Sequence, residues 1–346
     1  MRIDFVSDNA SGLCPEALDA LVAVHGGRAA PYGGDEVTAR TEAAFAATFE
    51  ADVDVFLVAT GTAANTLALA SLTRPWERIL CEEFAHLATD ESTAPERITG
   101  CRVTTVPVGG RKLTPADLEQ REAALSDRGV HSVAPGAVTI SNATEFGEVY
   151  TPAEVAALAA SAHELGYRLH VDGARFANAV AALGCSPSEL TVDAGVDAMS
   201  FGGTKNGLAL GEAVVLFPGP HRRAAAAALP ALRKSHGHLL SKHRYVAAPF
   251  AAVLDDGAWL RHAAHANAMA RRLSDGLVAL GCRPRFPTEA NGVFIELAPE
   301  VESRLQRAGW AFHHLGHPRW RLARFMASFD TEVEQVDRLL AAAAGT

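Results

Sequence analysis

"DVDVFLVATGTAANTLALASL", residues 52–72, decides the fold class of this chain. Its opening run, 52–59, is short, apolar and β-branched, as a strand should be. Gly61 and Thr62 then turn the chain into the helical segment "GTAANTLALASL". A strand feeding a helix through a small turn is the repeating unit of a mainly parallel, doubly covered sheet. Working outward, further β-like runs fall at 78–83, 102–108, 136–142, 168–173, 197–203 and 212–217. Between several of them lie helical stretches. Two of these, "TPADLEQREAAL" and "TPAEVAALAASAHELG", open with Thr as cap and Pro at the first helical position.

Beyond about residue 220 the texture changes. Long Ala/His/Arg-rich helices are expected at 220–246 and 258–280, followed by "GVFIEL", "RWRLARFMASF" and a closing helix, "TEVEQVDRLLAAAA". The expected division is a large domain over 1–248 and a smaller α+β domain over 249–346.

Composition narrows the function classes. With 346 residues, 49% hydrophobic and 21% charged, the chain is an ordinary globular protein. No apolar run reaches the ~20 residues of a membrane helix. A net charge of −9 without any Lys/Arg run disfavours a nucleic-acid partner. Five scattered cysteines with no CxxC pair argue against a disulfide framework or a zinc knuckle, and for a reducing, cytoplasmic setting.

In an α/β sheet, ligands gather where strands end and helices begin. Gly61-Thr62 is such a place, and its free N–H groups and hydroxyl suit a phosphate; the same pair is also an ordinary helix cap. Asp172 closes the strand "RLHVDG", with Arg175 following. A carboxylate there is costly to bury unless paired, and it could simply cap the next helix and pair with Arg175. Lys205 sits in "SFGGTKNG", residues 200–207, where Gly202, Gly203 and Gly207 are expected to permit tight turns and close ligand approach. A buried lysine amine loses basicity readily and becomes a nucleophile; a surface lysine on a glycine loop is the plainer reading. The P-loop is excluded, because Thr precedes this lysine and Asn follows it. His86 follows the strand 78–83 by a short loop, with Asp90 and Glu91 just beyond. His262 and His265 share a helix face, but no acidic or cysteine pattern accompanies them, so no metal is expected. His236/His238 and His313/His314/His317 are further clusters without such a pattern. Together, a phosphate turn, a strand-end Asp, a nearby Arg and a glycine-flanked Lys match what pyridoxal phosphate requires.

These residues resemble the threonine aldolases, pyridoxal-phosphate enzymes of fold type I, and most closely the bacterial low-specificity L-threonine aldolases. "SDNASG", "YGGD", "GTAAN", "EFAHLATDE", "GGRKLTP", "HVDGAR", "FGGTKNG" and "ARFMASFDT" run in family order over nearly the whole chain. The resemblance implies an aspartate aminotransferase-like large domain with a small C-terminal domain. It implies reversible cleavage of L-threonine, L-allo-threonine or phenylserine to glycine and an aldehyde. By the same resemblance Lys205 forms the imine, Asp172 partners the pyridine nitrogen, and Gly61 and Thr62 seat the phosphate. His86 stacks on the ring or acts as the base on the β-hydroxyl. Ser7, Arg175 and Arg324 hold the substrate carboxylate, the arginines through a two-donor fork, and Tyr32 also contacts the substrate. A tetramer built from dimers is implied, in which Lys234 or Lys242 reaches the partner's phosphate. Other fold type I enzymes (a β-eliminating lyase, an aminotransferase, a serine hydroxymethyltransferase) share the Asp, the Lys and the phosphate seat, and a catalytically silent cofactor-binding protein is a further alternative. Two departures stand out: the family's "YGDD" is "YGGD" here, with Gly34, and the Thr-His pair that follows the fourth strand in many relatives is absent from "SNATEFGEVY".

Overall fold

The computed structural model describes residues 2–125, 128–315 and 322–345. His317 and the first residues of "RWRLARFMASF" lie outside that set.

Every strand read from the sequence in the first two-thirds of the chain forms, within a residue or two at each end. They are β1 (Asp54–Val58), β2 (Glu77–Glu82), β3 (Arg102–Val106), β4 (Ala134–Ser141), β5 (Arg168–Gly173), β6 (Ala198–Gly202) and β7 (Glu212–Leu216). They make one sheet in the order β1-β7-β6-β5-β4-β2-β3. β7 runs antiparallel to both β1 and β6, while the other pairings are parallel. The carboxyl ends of β2, β4, β5 and β6 therefore share one edge with the start of β7. Helix starts follow the local chemistry. Thr114 and Thr151 each form a capping box, with Asp117 and Glu154, ahead of prolines at the first turn.

The helix Gly61–Leu72 is buried along nearly its whole length, which fits its Ala-rich, uncharged sequence. The run expected as one helix over 220–246 is instead two, Arg222–Ser235 and Arg244–Asp255. Gly237, at φ +78°, takes the left-handed conformation that stops the first.

A second, antiparallel sheet holds β8 (Arg283–Pro284), β9 (Gly292–Glu296), β10 (His313–Leu315) and β11 (Leu322–Met326), in the order β10-β11-β9-β8. Residue 249 falls inside the helix Arg244–Asp255, whose Val246, Phe250 and Val253 pack in the core of the large sheet. The change of core comes along the next helix, Ala258–Ala279: Trp259 and Ala263 belong to the first core, Met269 and Leu273 to the second. Phe5 also packs in the second core, so the N-terminal residues run along the small sheet before reaching the site.

Candidate active site

A cavity of ≈ 320 Å³ opens at the shared strand edge. Gly61, Thr62, His86, Asp172, Arg175 and Lys205 all line it. Residues far apart in sequence thus converge as the sequence reading expects.

Lys205 sits on a single 3₁₀ turn, Thr204–Asn206, just past β6. The guanidinium of Arg175 and then burial lower its pKa, against the pull of Asp8, Asp172 and Glu212. Its amine makes no hydrogen bond or ion pair with any described residue. Of the flanking glycines, Gly207 closes the tight turn expected, and Gly202 and Gly203 have a further purpose. A Cβ on Gly202 would lie 2.4 Å from the Ala174 carbonyl oxygen, and one on Gly203 would lie 2.5 Å from that of Gly211. Gly207, at φ +102°, would meet Cys14. Gly202 and Gly203 are thus required by the protein's own backbone packed against them, and Gly207 by its positive φ and the Cys14 side chain, while Gly202 also lines the cavity. Glu212, which the sequence reading missed, holds the turn by accepting from the Gly203 N–H at 2.6 Å.

Gly61 is the opposite case. A Cβ there would meet nothing within 4 Å, because the residue faces the cavity. Thr60 caps the helix by accepting from the Ala63 N–H. The N–H groups of Gly61 and Thr62 donate to no described residue, so this helix start presents free donors to the cavity.

Asp172 does not pair with Arg175. Its two oxygens accept from the Ala174 N–H at 3.0 Å and from Asn65 Nδ2 at 2.7 Å. Burial raises its pKa, but these bonds and the charges of Lys205 and His86 hold it below the ordinary carboxylate value. Asn65 donates its second amide hydrogen to Glu91, 2.8 Å away, and Glu91 in turn contacts His86 Nδ1 at 2.8 Å. That bond is the main reason the His86 pKa is raised. Asn65 and Glu91 thus form a buried link from the ring of His86 to Asp172. "GTAAN" and "ATDE" carry both residues, but nothing local shows that they meet.

Arg175 turns to Asp8 instead. Nε donates to Oδ2 at 2.7 Å and Nη2 to Oδ1 at 3.0 Å. Asn291 adds a third hydrogen bond to the same carboxylate. Part of the Arg175 fork is therefore committed within the protein. Arg324 is freer. Its Nη2 donates to the Val6 carbonyl, while its buried Nε has no partner among the described residues. Both arginines line a small adjoining cavity of ≈ 20 Å³.

Ser7 caps the short turn Asp8–Ala10 through its hydroxyl, and Asn9, not Ser7, lines the main cavity. Tyr32, Lys234 and Lys242 are exposed and away from that cavity. They sit together: the Lys234 amine lies 5.1 Å over the Tyr32 ring, and the Tyr32 N–H donates to the Ser241 carbonyl. Tyr32 holds φ +60°, a conformation rare without glycine. From the same basic segment His238 reaches the cavity rim of its own chain, where Nδ1 lies 3.4 Å from the Ala59 N–H. His262 and His265 do not converge. The first faces Glu16 at 3.4 Å, and the second meets the Thr331 carbonyl at 2.7 Å.

With this geometry in place, comparison with known proteins is decisive. A low specificity L-threonine aldolase from Pseudomonas sp. (strain NCIMB 10558) is 46% identical over 340 residues, covering 97% of this chain and 96% of the relative. The chain belongs to the threonine aldolase family. A second relative of the same name, from Pseudomonas aeruginosa, is 45% identical over 97% of this chain and 95% of its own length. The sequence pattern of the beta-eliminating lyase family matches residues 4–300. Among solved structures, a threonine aldolase from Leishmania major superposes with a TM-score of 0.91 at 29% identity, covering 99% of this chain and 98% of that one. Aspartate aminotransferase from Thermus thermophilus, at 18% identity and a TM-score of 0.66, shares the fold. Fold type I of the pyridoxal-phosphate enzymes is thus the architecture.

Proposed function

We propose that this protein is a pyridoxal 5′-phosphate-dependent aldolase that reversibly cleaves L-threonine, L-allo-threonine and related L-3-hydroxy-α-amino acids, such as phenylserine, to glycine and an aldehyde. The observation that carries the reading is the meeting, in one cavity, of a lysine amine and helix-start N–H groups that have no partner among the described residues and a buried carboxylate held ionised. Those three groups fit the aldehyde, the ring nitrogen and the phosphate of the cofactor, and the room beside Gly61 suits the phosphate.

When bound, the cofactor supplies a protonated ring that takes up the electron pair released as the Cα–Cβ bond breaks. Lys205 presents the amine to which it attaches. Asp172, positioned by Asn65 and the Ala174 N–H, keeps the ring nitrogen protonated. Gly61 and Thr62 donate to the phosphate. His86, which lines the cavity and has its Nδ1 held by Glu91, would stack on the cofactor ring. Arg324, with help from Arg175, would hold the substrate carboxylate and so fix the orientation of the α carbon. Ser7, through the turn it caps, places Asp8 against Arg175.

The protein works as a cytoplasmic homotetramer, a dimer of dimers. Tyr32, Lys234 and Lys242 are exposed and out of reach of their own cavity, which supports their reaching a neighbouring subunit's site. The test is a product assay. Purified protein is incubated with L-threonine, L-allo-threonine and both phenylserine diastereomers, and glycine and aldehyde are measured, with Lys205→Ala as control. Pyruvate and ammonia, or transfer of the amino group, would assign the protein to the eliminating or transaminating enzymes instead. Equal turnover by Lys205→Ala would remove that lysine from the reaction.

A further inference from the structure

The histidine expected beyond β4 is missing, yet a titratable side chain occupies the neighbourhood. Glu145 lines the main cavity together with Lys205 and His86. It also lines the small cavity that holds Arg175 and Arg324, and a third, of ≈ 10 Å³, that holds Glu82 and Ser141. Glu145 thus stands between the amine and the carboxylate seat. One of its oxygens, Oε1, accepts from the His86 N–H at 2.9 Å and from the Ser141 hydroxyl at 2.6 Å. Two donors on one oxygen orient a carboxylate and favour its ionised form. No other described residue donates to its second oxygen, and its own backbone N–H is the one further donor to the carboxylate.

We propose that Glu145 takes the proton of the substrate's β-hydroxyl during bond cleavage, an inference that rests on the aldolase reading above. A substrate held by its amine near Lys205 and by its carboxylate near Arg324 has its α carbon between those two points. The hydroxyl, one carbon further, then falls in the cavity that Glu145 enters. As Cα–Cβ breaks, the hydroxyl proton passes to Glu145 Oε2, and the O–H electron pair becomes the second bond of the aldehyde. The Cα–Cβ pair goes to the α carbon and the cofactor ring. The α carbon then takes a proton from solvent, and Glu145 returns its own to solvent, so no other reactant is needed.

The surroundings suit that work. Burial raises the Glu145 pKa, the hydrogen bonds from Ser141 and His86 lower it, and Asp172 raises it again; the balance lies above the ordinary value. The other carboxylate and basic side chains lining the cavities Glu145 enters are His86, Asp172, Lys205 and Glu212 in the main one, Glu82 at the end of β2 and Arg111 in the third, and Arg175 and Arg324 in the second. A base is most effective when its pKa approaches the working pH. His86 already has its Nδ1 engaged by Glu91, 2.8 Å away.

The test uses Glu145→Gln and Glu145→Ala in the cofactor-loaded protein. Cofactor absorbance and glycine affinity are measured by titration, and exchange of the glycine α-hydrogen with deuterium by NMR. Glycine carries no hydroxyl, so both variants are expected to bind cofactor and glycine, and to exchange, within about twofold of the parent. Cleavage kcat should fall at least about 100-fold, and the acidic limb of its pH profile should vanish. Cleavage retained within about threefold, or exchange falling in parallel with cleavage, overturns the proposal. A parent protein that releases no glycine from any of the four substrates overturns the aldolase reading itself.

Discussion

Replacing Asp8 with Asn tests whether Arg175 is anchored by a buried ion pair. Asp8 is fully buried, and the Arg175 side chain is only 18% exposed. The carboxylate accepts two hydrogen bonds from the guanidinium and one from Asn291. An Asn side chain removes the charge and turns an N–H₂ group towards one of the guanidinium donors. Removing one partner of such a pair leaves a buried charge uncompensated, which costs about 3–5 kcal/mol. Little solvent reaches the pair, so little of that cost is relieved. The pH dependence follows from the direction of the Asp8 shift. Burial alone would raise its pKa, but the charges of Arg175 and Lys205 and three hydrogen bonds bring it below the ordinary value. A group with a depressed folded pKa contributes fully above its unfolded pKa of ~3.9 and loses that contribution only as pH falls through the lower folded value. The stability gap between parent and variant should therefore stay constant from pH 7 to pH 4.5. Urea unfolding followed by circular dichroism, at one fixed protein concentration, measures it. A gap below about 0.5 kcal/mol at pH 7 would refute the anchoring role, as would a gap that has already closed by pH 5.

Two further outcomes follow from other parts of the site. Gly202→Ala puts a methyl group 2.4 Å from a backbone oxygen, so it should destabilise the cofactor-free protein by about 1–3 kcal/mol; a change seen only in cofactor affinity would restore the ligand-approach reading. Arg324→Lys keeps the charge but not the fork, and should raise KM about tenfold or more while leaving cofactor absorbance intact. An unchanged KM would move the carboxylate seat elsewhere.

Much of this was legible because it is local. The strands β1 to β7, the two Thr-Pro helix starts and the strand-end positions of Asp172 and Lys205 follow from patterns a few residues long. The helix break near Gly237 was missed because the surrounding residues are strong helix formers and one glycine does not decide the matter alone. The glycines around Lys205 were noticed, but their neighbours were not visible. Ala174, Gly211 and Cys14 become neighbours only when β5, β7 and the N-terminal segment are assembled. The Asp8–Arg175 pair spans 167 residues, and Asn65 reaches Asp172 across 107. Pairings at such distances depend on tertiary packing, and a single sequence does not display them.

Those distant pairs change how the charges of the site should be understood. Read from the sequence, Arg175 and Arg324 are two equal clamps for one carboxylate. In the fold they are unequal: Arg175 is turned to Asp8 through two donors, while Arg324 keeps a buried Nε without a partner among the described residues. Arg324 is then the arginine with binding capacity to offer, and Arg175 contributes by position and by charge. That charge also has a second effect. Arg175 is the leading cause of the lowered Lys205 pKa, so the residue we propose helps seat the substrate also keeps that amine closer to its neutral form. Asp8 anchors Arg175, while its own charge pulls the Lys205 pKa back up. The "SDNASG" segment matters to catalysis through that anchor, and a perturbation of Asp8 should therefore reach the lysine as well as the carboxylate seat.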